Sequence, residues 1–293
     1  MGRPGPRCTL PRCGAASPAG GGQLPPAAPP QHGGRPAPPQ PTRRPGGTRA
    51  VRSWAWWAAP AVALGYTVGA QLAARAGLSV RRGPPRPQVA LTFDDGPHPE
   101  YTLRVAEVLH HLGVRATFFF VGRHALELAD VAREVARAGH SLGSHTFSHP
   151  HLWVLNPRAT WKEVAEGARA VQEATGLPAR YFRPPWGAFN LAALLACRHL
   201  GLIPVLWTVR GEGYRWKPTP EEMVQEVVRR AHPGAVVDLH DRGGFPDTPA
   251  RVLAALPGMV QGLRSRGLEP VSLDELLGPP HGARTMGPAV QLH

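Results

Sequence analysis

The chain has 293 residues, a length for one large domain or two small ones, and a net charge of +13. That charge is unevenly placed: residues 1–53 carry eight arginines and no acid, whereas residues 88–278 hold 20 Lys+Arg against 20 Asp+Glu. A nucleic-acid-binding domain carries its own basic surface, so this balance argues against nucleic acid as a partner. Cys8, Cys13 and Cys197 form neither a disulfide framework nor a CxxC zinc pattern, so any metal here is held by histidine and carboxylate.

In chain order, residues 1–50 contain thirteen prolines and no acidic residue. Such a segment buries too little apolar surface to offset its ordering entropy, so 1–53 is expected to be a disordered Pro/Gly/Arg-rich tail. Val51 is an alternative initiation point in a GC-rich genome, so no function is assigned to the tail. Residues 54–74 are 21 consecutive uncharged positions, enough to cross a ~30 Å hydrocarbon core as a helix. Trp54, Trp56 and Trp57 stand at one end, as an aromatic belt would. The expectation is a single-pass membrane anchor with the following domain extracytoplasmic. A cleaved signal at Ala74-Arg75-Ala76, giving a secreted protein, and a buried helix are the alternatives. Residues 75–87 then read as a linker, stiffened from Arg81 to Pro87.

From residue 88 the pattern alternates. Strands are expected at Val89–Phe93, Ala116–Val121, Ser141–Ser144, Arg180–Phe182, Ile203–Val209, Ala235–Leu239 and Glu269–Val271. Between them fall helices at Leu103–Leu112, Ala125–Ala138, Pro157–Thr175, Leu191–Leu200, Pro220–Ala231 and Pro249–Arg266. Repeated strand–helix units imply a parallel sheet, open or closed into a barrel, with its site at the C-terminal ends of the strands.

Five motifs occupy those ends: Thr92-Phe93-Asp94-Asp95-Gly96-Pro97, Ser144-His145-Thr146-Phe147-Ser148-His149, Arg183-Pro184-Pro185-Trp186-Gly187, the Trp207 segment and Leu239-His240-Asp241. Adjacent strand residues point in different directions, so one of Asp94 and Asp95 can bind a metal while the other faces a water. His145 and His149 are spaced i, i+4 within a loop rich in Ser and Pro, and His151 is a third candidate. A carboxylate-plus-two-histidine set, a spare carboxylate, an arginine and a late histidine suit metal-assisted hydrolysis of an amide or ester.

TFDDGP, SHTFSHPHL, RPPWG and LHD in this order resemble the polysaccharide deacetylases of the NodB-homology type, carbohydrate esterase family 4. The resemblance spans about Gln88 to Leu277, within an expected domain of residues 88–278, and implies a distorted (β/α) barrel with an incomplete strand set. It implies removal of N-acetyl groups from GlcNAc- or MurNAc-containing polymers, or of O-acetyl groups from xylan. By this similarity Asp95, His145 and His149 would bind a divalent ion, usually zinc, with cobalt, nickel or iron as alternatives. Asp94 would be the general base held by Arg183, and His240 the general acid. The backbone N–H of Trp186 would stabilise the oxyanion, and Leu239 with Trp207 would line an acetyl pocket.

One position departs from the family pattern. An aspartate usually stands three residues after the Trp207 position; here it is Arg210, and a second aspartate nearby is also missing. A cation beside His240 would lower its pKa and weaken it as an acid, with Glu212 or Asp238 as candidate substitutes. The expected function is therefore an N-deacetylase of an envelope glycan, peptidoglycan being the natural substrate from topology. An O-acetyl esterase or other C–N hydrolase on the same metal site, and a non-catalytic glycan-binding module, are the competing readings. No pattern identifies a protein partner, and residues 279–293 carry no motif.

Overall fold

The computed structural model describes residues 55–212, 217–245 and 247–278. The tails 1–53 and 279–293 and Trp54 lie outside the described residues. The chain runs α1 (Ala55–Leu64), α2 (Ala70–Ala73), β1 (Gln88–Asp94), α3 (Tyr101–His111), β2 (Thr117–Phe120), α4 (Gly122–Glu127) and α5 (Ala129–Arg137). It continues through β3 (Ser141–Ser144), α6 (Pro157–Thr175), β4 (Tyr181–Phe182), α7 (Leu191–Leu200), β5 (Ile203–Pro204) and β6 (Val209–Arg210). Last come α8 (Pro220–Arg230), β7 (Val236–His240), α9 (Thr248–Ser265), β8 (Glu269–Val271) and α10 (Leu273–Leu277). The expected helix Ala125–Ala138 is broken at Leu128 (φ −123°, ψ 45°) into α4 and α5. α10, which the periodicity did not suggest, is nucleated by a Ser272/Glu275 capping box.

All eight strands pair in parallel in the order β5-β4-β3-β2-β1-β7-β6, with β8 also on β1, as an open half-barrel. Register sets Thr92 opposite Asp238 and Asp94 opposite His240. Because side chains alternate along a strand, Ala90, Thr92 and Asp94 share one face with Val236, Asp238 and His240. Ala90 and Val236 join Phe119, Tyr181, Val205 and Val271 in an apolar cluster inside the sheet's curve. Val89, Leu91, Phe93, Val237 and Leu239 belong to the other, larger core, which packs beneath α3, α5, α8 and α9. The side chains of the five motifs therefore gather at the C-terminal end of the sheet, beside these apolar clusters.

β5 and β6 are the two edges of the sheet, so the expected single strand Ile203–Val209 splits as the chain crosses the opening between them. Residues 80–83, expected in a linker, are tied across that opening. Val80 bridges Val205 and Arg82 bridges Ala235. Val80 donates its N–H to Pro204 O (2.8 Å), Leu206 donates to Val80 O (2.8 Å), and Gly83 donates to Gly234 O (2.7 Å). Edge groups that would otherwise lack partners are thereby paired.

The apolar segment 54–74 also departs from expectation. Residues 55–74 are helical, with Pro60 inside α1 and π-helical turns at Gly65–Gly69 and Ala74–Leu78 flanking α2. Among the described residues no helix is long and apolar enough to cross a membrane, so the anchor reading is not supported. The physical reason is packing: Ala70 and Ala74, one turn apart on one face, are buried against Phe182, Phe189, Ala193 and Cys197. Gln71 Oε1 accepts the Phe189 N–H at 2.7 Å.

A charge placed in that contact tests the docking. Ala74→Glu should destabilise the whole chain by about 2 kcal/mol or more, because a buried carboxylate would face only apolar neighbours. Denaturant unfolding followed by tryptophan fluorescence checks this; an unchanged midpoint would mean that the helix does not pack on the domain.

Candidate active site

Asp95 follows β1 with a left-handed backbone (φ 71°), which turns its carboxylate away from that of Asp94. His145 leaves β3, and His149, also left-handed (φ 63°), brings its ring back beside it. His149 Nε2 lies 2.9 Å and His145 Nε2 3.4 Å from Asp95 Oδ1. Neither pair has hydrogen-bond geometry, so this buried oxygen has no hydrogen-bond partner among the described residues. His145 Nδ1 lies 2.8 Å from the Arg183 carbonyl, which only accepts. Nδ1 therefore carries the proton, and the Nε2 lone pair faces Asp95. An orphaned carboxylate oxygen with two imidazole nitrogens converging on it fits a divalent cation, and the three ligand atoms lie within 4.8 Å of one another. Burial opposes ionisation of Asp95, yet the two histidines hold its carboxyl far below the usual carboxylate range. His151 stands apart from this set: it caps the 3₁₀ turn Leu152–Val154 and stacks on Trp186.

The histidine loop is held by residues outside the motifs. Glu163 on α6 accepts the Phe147 N–H (3.0 Å), the Ser148 N–H (2.8 Å) and the Ser148 hydroxyl (2.7 Å). Thr146 and Phe147 carbonyls accept the first N–H groups of α4, from Gly122 and Arg123. Gly167 lets α6 approach, since a Cβ there would sit 2.5 Å from the Thr146 carbonyl carbon. Gly243, after β7, plays the same part for Asp95, whose carboxylate a side chain would strike.

The proton-transfer candidates stand beside this set. Arg183, fully buried, donates through Nη1 to Asp94 Oδ1 (2.7 Å), Thr92 Oγ1 (2.8 Å) and Asp238 Oδ1 (3.2 Å). Burial, and next the Asp94 carboxylate, push Asp238 above the usual carboxylate range. His240 Nδ1 lies 3.0 Å from both oxygens of Glu212. Burial works against charging this ring, but the Glu212 carboxylate outweighs it and holds His240 well above the ordinary histidine value. The depression expected from Arg210 is therefore not found. Arg210 pairs in register with Asp238 on β7, and its guanidinium carbon lies 5.7 Å from the Trp207 ring centroid.

Asp94, Asp95, His145, His149, Glu212 and His240 line one cleft of about 360 Å³, with Trp186 and Trp207 as its aromatic walls and Arg183 buried behind it. Trp186 is 60% exposed, left-handed (φ 56°), and 4.8 Å from the His149 ring centroid. Leu239 is not among the lining residues. The pleat turns it away from His240 into the outer core, so the acetyl pocket expected of Leu239 and Trp207 keeps only Trp207. Sequence reasoning missed Glu163, which carried no spacing signal, and Asp241. The latter accepts from the Thr102 hydroxyl beneath Gly96, and burial raises its carboxyl to about 7.

Glu163→Ala should free the loop that carries both histidines and weaken zinc affinity about tenfold or more. A competition titration against a chromophoric chelator reads this, and unchanged affinity would remove Glu163 from the support of the site.

Residues 81–205 match the model of the polysaccharide deacetylase family. A chitooligosaccharide deacetylase of Azorhizobium caulinodans is 34% identical over 189 residues, 61% of this chain and 89% of that protein. A peptidoglycan-N-acetylglucosamine deacetylase of Bacillus cereus is 31% identical over 190 residues, covering 64% and 87%. In structure the chain is similar to a family 4 carbohydrate esterase pseudoenzyme from Bacillus anthracis. That likeness has a TM-score of 0.62 and 29% identity, over 68% of each chain. With the ordered motifs converging on one cleft, these likenesses establish that the chain belongs to the polysaccharide deacetylase family of hydrolases.

Proposed function

We propose that residues 88–278 remove N-acetyl groups from a GlcNAc- or MurNAc-containing glycan, with Asp95, His145 and His149 holding a divalent cation. The observation that carries this reading is the pairing of two supported proton-transfer groups, Asp94 on Arg183 and His240 on Glu212, beside that ligand set. A bound cation, zinc in the first instance, supplies Lewis-acid polarisation of the acetyl carbonyl and acidifies water. Arg183 holds the Asp94 carboxylate in place through Nη1, so Asp94 is assigned as the base that takes the proton of the attacking water. Glu212 occupies His240 Nδ1, which leaves Nε2 for the departing sugar nitrogen. The raised pKa keeps that nitrogen protonated near neutral pH. An amine leaves only with a proton, whereas an alkoxide leaves more readily, so the Glu212 contact favours the amide over the ester reading. The backbone N–H of Trp186 is assigned to the oxyanion, and Trp207 to the acetyl methyl group.

Acetate release from N-acetylglucosamine oligomers and from peptidoglycan, with and without chelator, tests the reaction. Chelator-sensitive release is expected, and Asp94→Asn should lower kcat by about a thousandfold while zinc remains bound. An active Asp94→Asn protein would sink the base assignment. A metal-loaded wild-type protein inert on every acetylated glycan would leave the binding-module reading in its place.

The acid makes a separate prediction. His240 must be protonated to act, so kcat/KM falls as pH rises through its raised pKa. Glu212→Gln removes the charge that raises it and should move the alkaline limb of the profile down by about one pH unit. A limb that stays in place would show that Glu212 does not govern the acid.

A further inference from the structure

We infer that the cleft bordered by Arg75, Arg81, Arg210 and Arg230 binds a carboxylate on the sugar chain being processed, so that acid-bearing glycan is preferred over neutral oligomer. This inference rests on the deacetylase reading and names the substrate class of the same site. A second cleft, of about 320 Å³, adjoins the first and shares Trp186, Trp207 and Arg210 with it. Four of its lining side chains are arginines and one is an acid, Glu226. Glu226 is engaged by Arg229 and Arg230. Arg75 and Arg81 are exposed and, among the described residues, have no carboxylate partner.

The positive field is a product of the fold. Residues 88–278 are formally neutral, and Arg75 and Arg81 come from the segment before them. The Ala70/Ala74 contact seats the helix that carries Arg75. The chain then turns at Gly77 (φ 142°), and the Val80–Val205 bridge sets Arg81 beside Leu206 and Trp207. Arg210 stands where the family pattern has an aspartate, so one substitution both removes an acid from the catalytic cleft and adds a cation to its neighbour.

A polymer with its acetamido group at Asp95, His145 and His149 has Trp186 and Trp207 as stacking surfaces leading to the arginines. Guanidinium groups match a carboxylate in geometry as well as charge, and a recessed basic cleft focuses its field on such a group. The 3-O-lactyl carboxylate of an N-acetylmuramic acid unit beside the reacting sugar has the chemistry this cleft recognises.

The test compares the full chain, supplied with zinc, on the N-acetylglucosamine tetramer and on the alternating N-acetylglucosamine–N-acetylmuramic acid tetrasaccharide. For R75Q/R81Q the ratio of kcat/KM, acidic over neutral, should fall about three- to tenfold, carried by KM, because two exposed charge contacts are lost. Raising the salt concentration should shrink the wild-type ratio in the same direction. A ratio unchanged by the double variant overturns the inference while leaving the deacetylase reading intact. If neither sugar is turned over, that reading fails, and calorimetric titration decides the inference. Tighter binding of the acidic tetrasaccharide by wild type, lost in R75Q/R81Q, upholds it; equal affinities overturn it.

Discussion

The site depends on Arg183, a fully buried guanidinium at the top of the barrel. Removing such a charge from water costs several kcal/mol unless carboxylates and acceptors answer it in good geometry. Here Asp94, Asp238 and Thr92 converge on one nitrogen, and the Phe119 ring lies 4.2 Å beneath the guanidinium carbon. The same residue's carbonyl takes the Nδ1 proton of His145. Arg183 thus orients the candidate base through its side chain and a candidate metal ligand through its backbone. Asp94 Oδ1 is committed to that pair. The left-handed turn at Asp95 then places the neighbouring carboxylate on the histidines, and two adjacent aspartates acquire different work.

Parallel strands make this economical in chain length. β1 and β7 in register place Asp94 beside His240, and the pleat keeps Leu91, Phe93 and Leu239 in the outer core. Thr92, Asp94 and Asp238 answer Arg183 through Nη1, and the apolar cluster of Ala90, Phe119 and Val236 shares the interior with them.

Glu212, two residues after Arg210, is the carboxylate that faces His240. Glu212 lies close enough to bond both carboxylate oxygens to His240 Nδ1 and dominates its electrostatics. The likeness to a pseudoenzyme is a likeness of fold, and the chemistry is decided by which side chains remain at the strand ends.

The order of motifs in the sequence determined the family, the parallel α/β class and the convergence of Asp94, Asp95, His145, His149, Arg183 and His240. Strand–helix alternation and motif spacing are local properties of the chain, and a parallel sheet delivers strand ends to one place. Other features were decided only by tertiary contacts. An uncharged run such as 54–74 reads the same whether lipid or protein covers it. Only the partners of Ala70 and Ala74 show that protein covers one face of its second half. The residues after it look like a linker because two single β-bridges leave no periodic trace. Glu163 acts through distance rather than motif, and the pleat, which a motif does not carry, sets Leu239 in the outer core. The arginine cleft belongs to this class most plainly: its residues lie 155 positions apart in the chain, between Arg75 and Arg230, and only the tertiary fold brings them together.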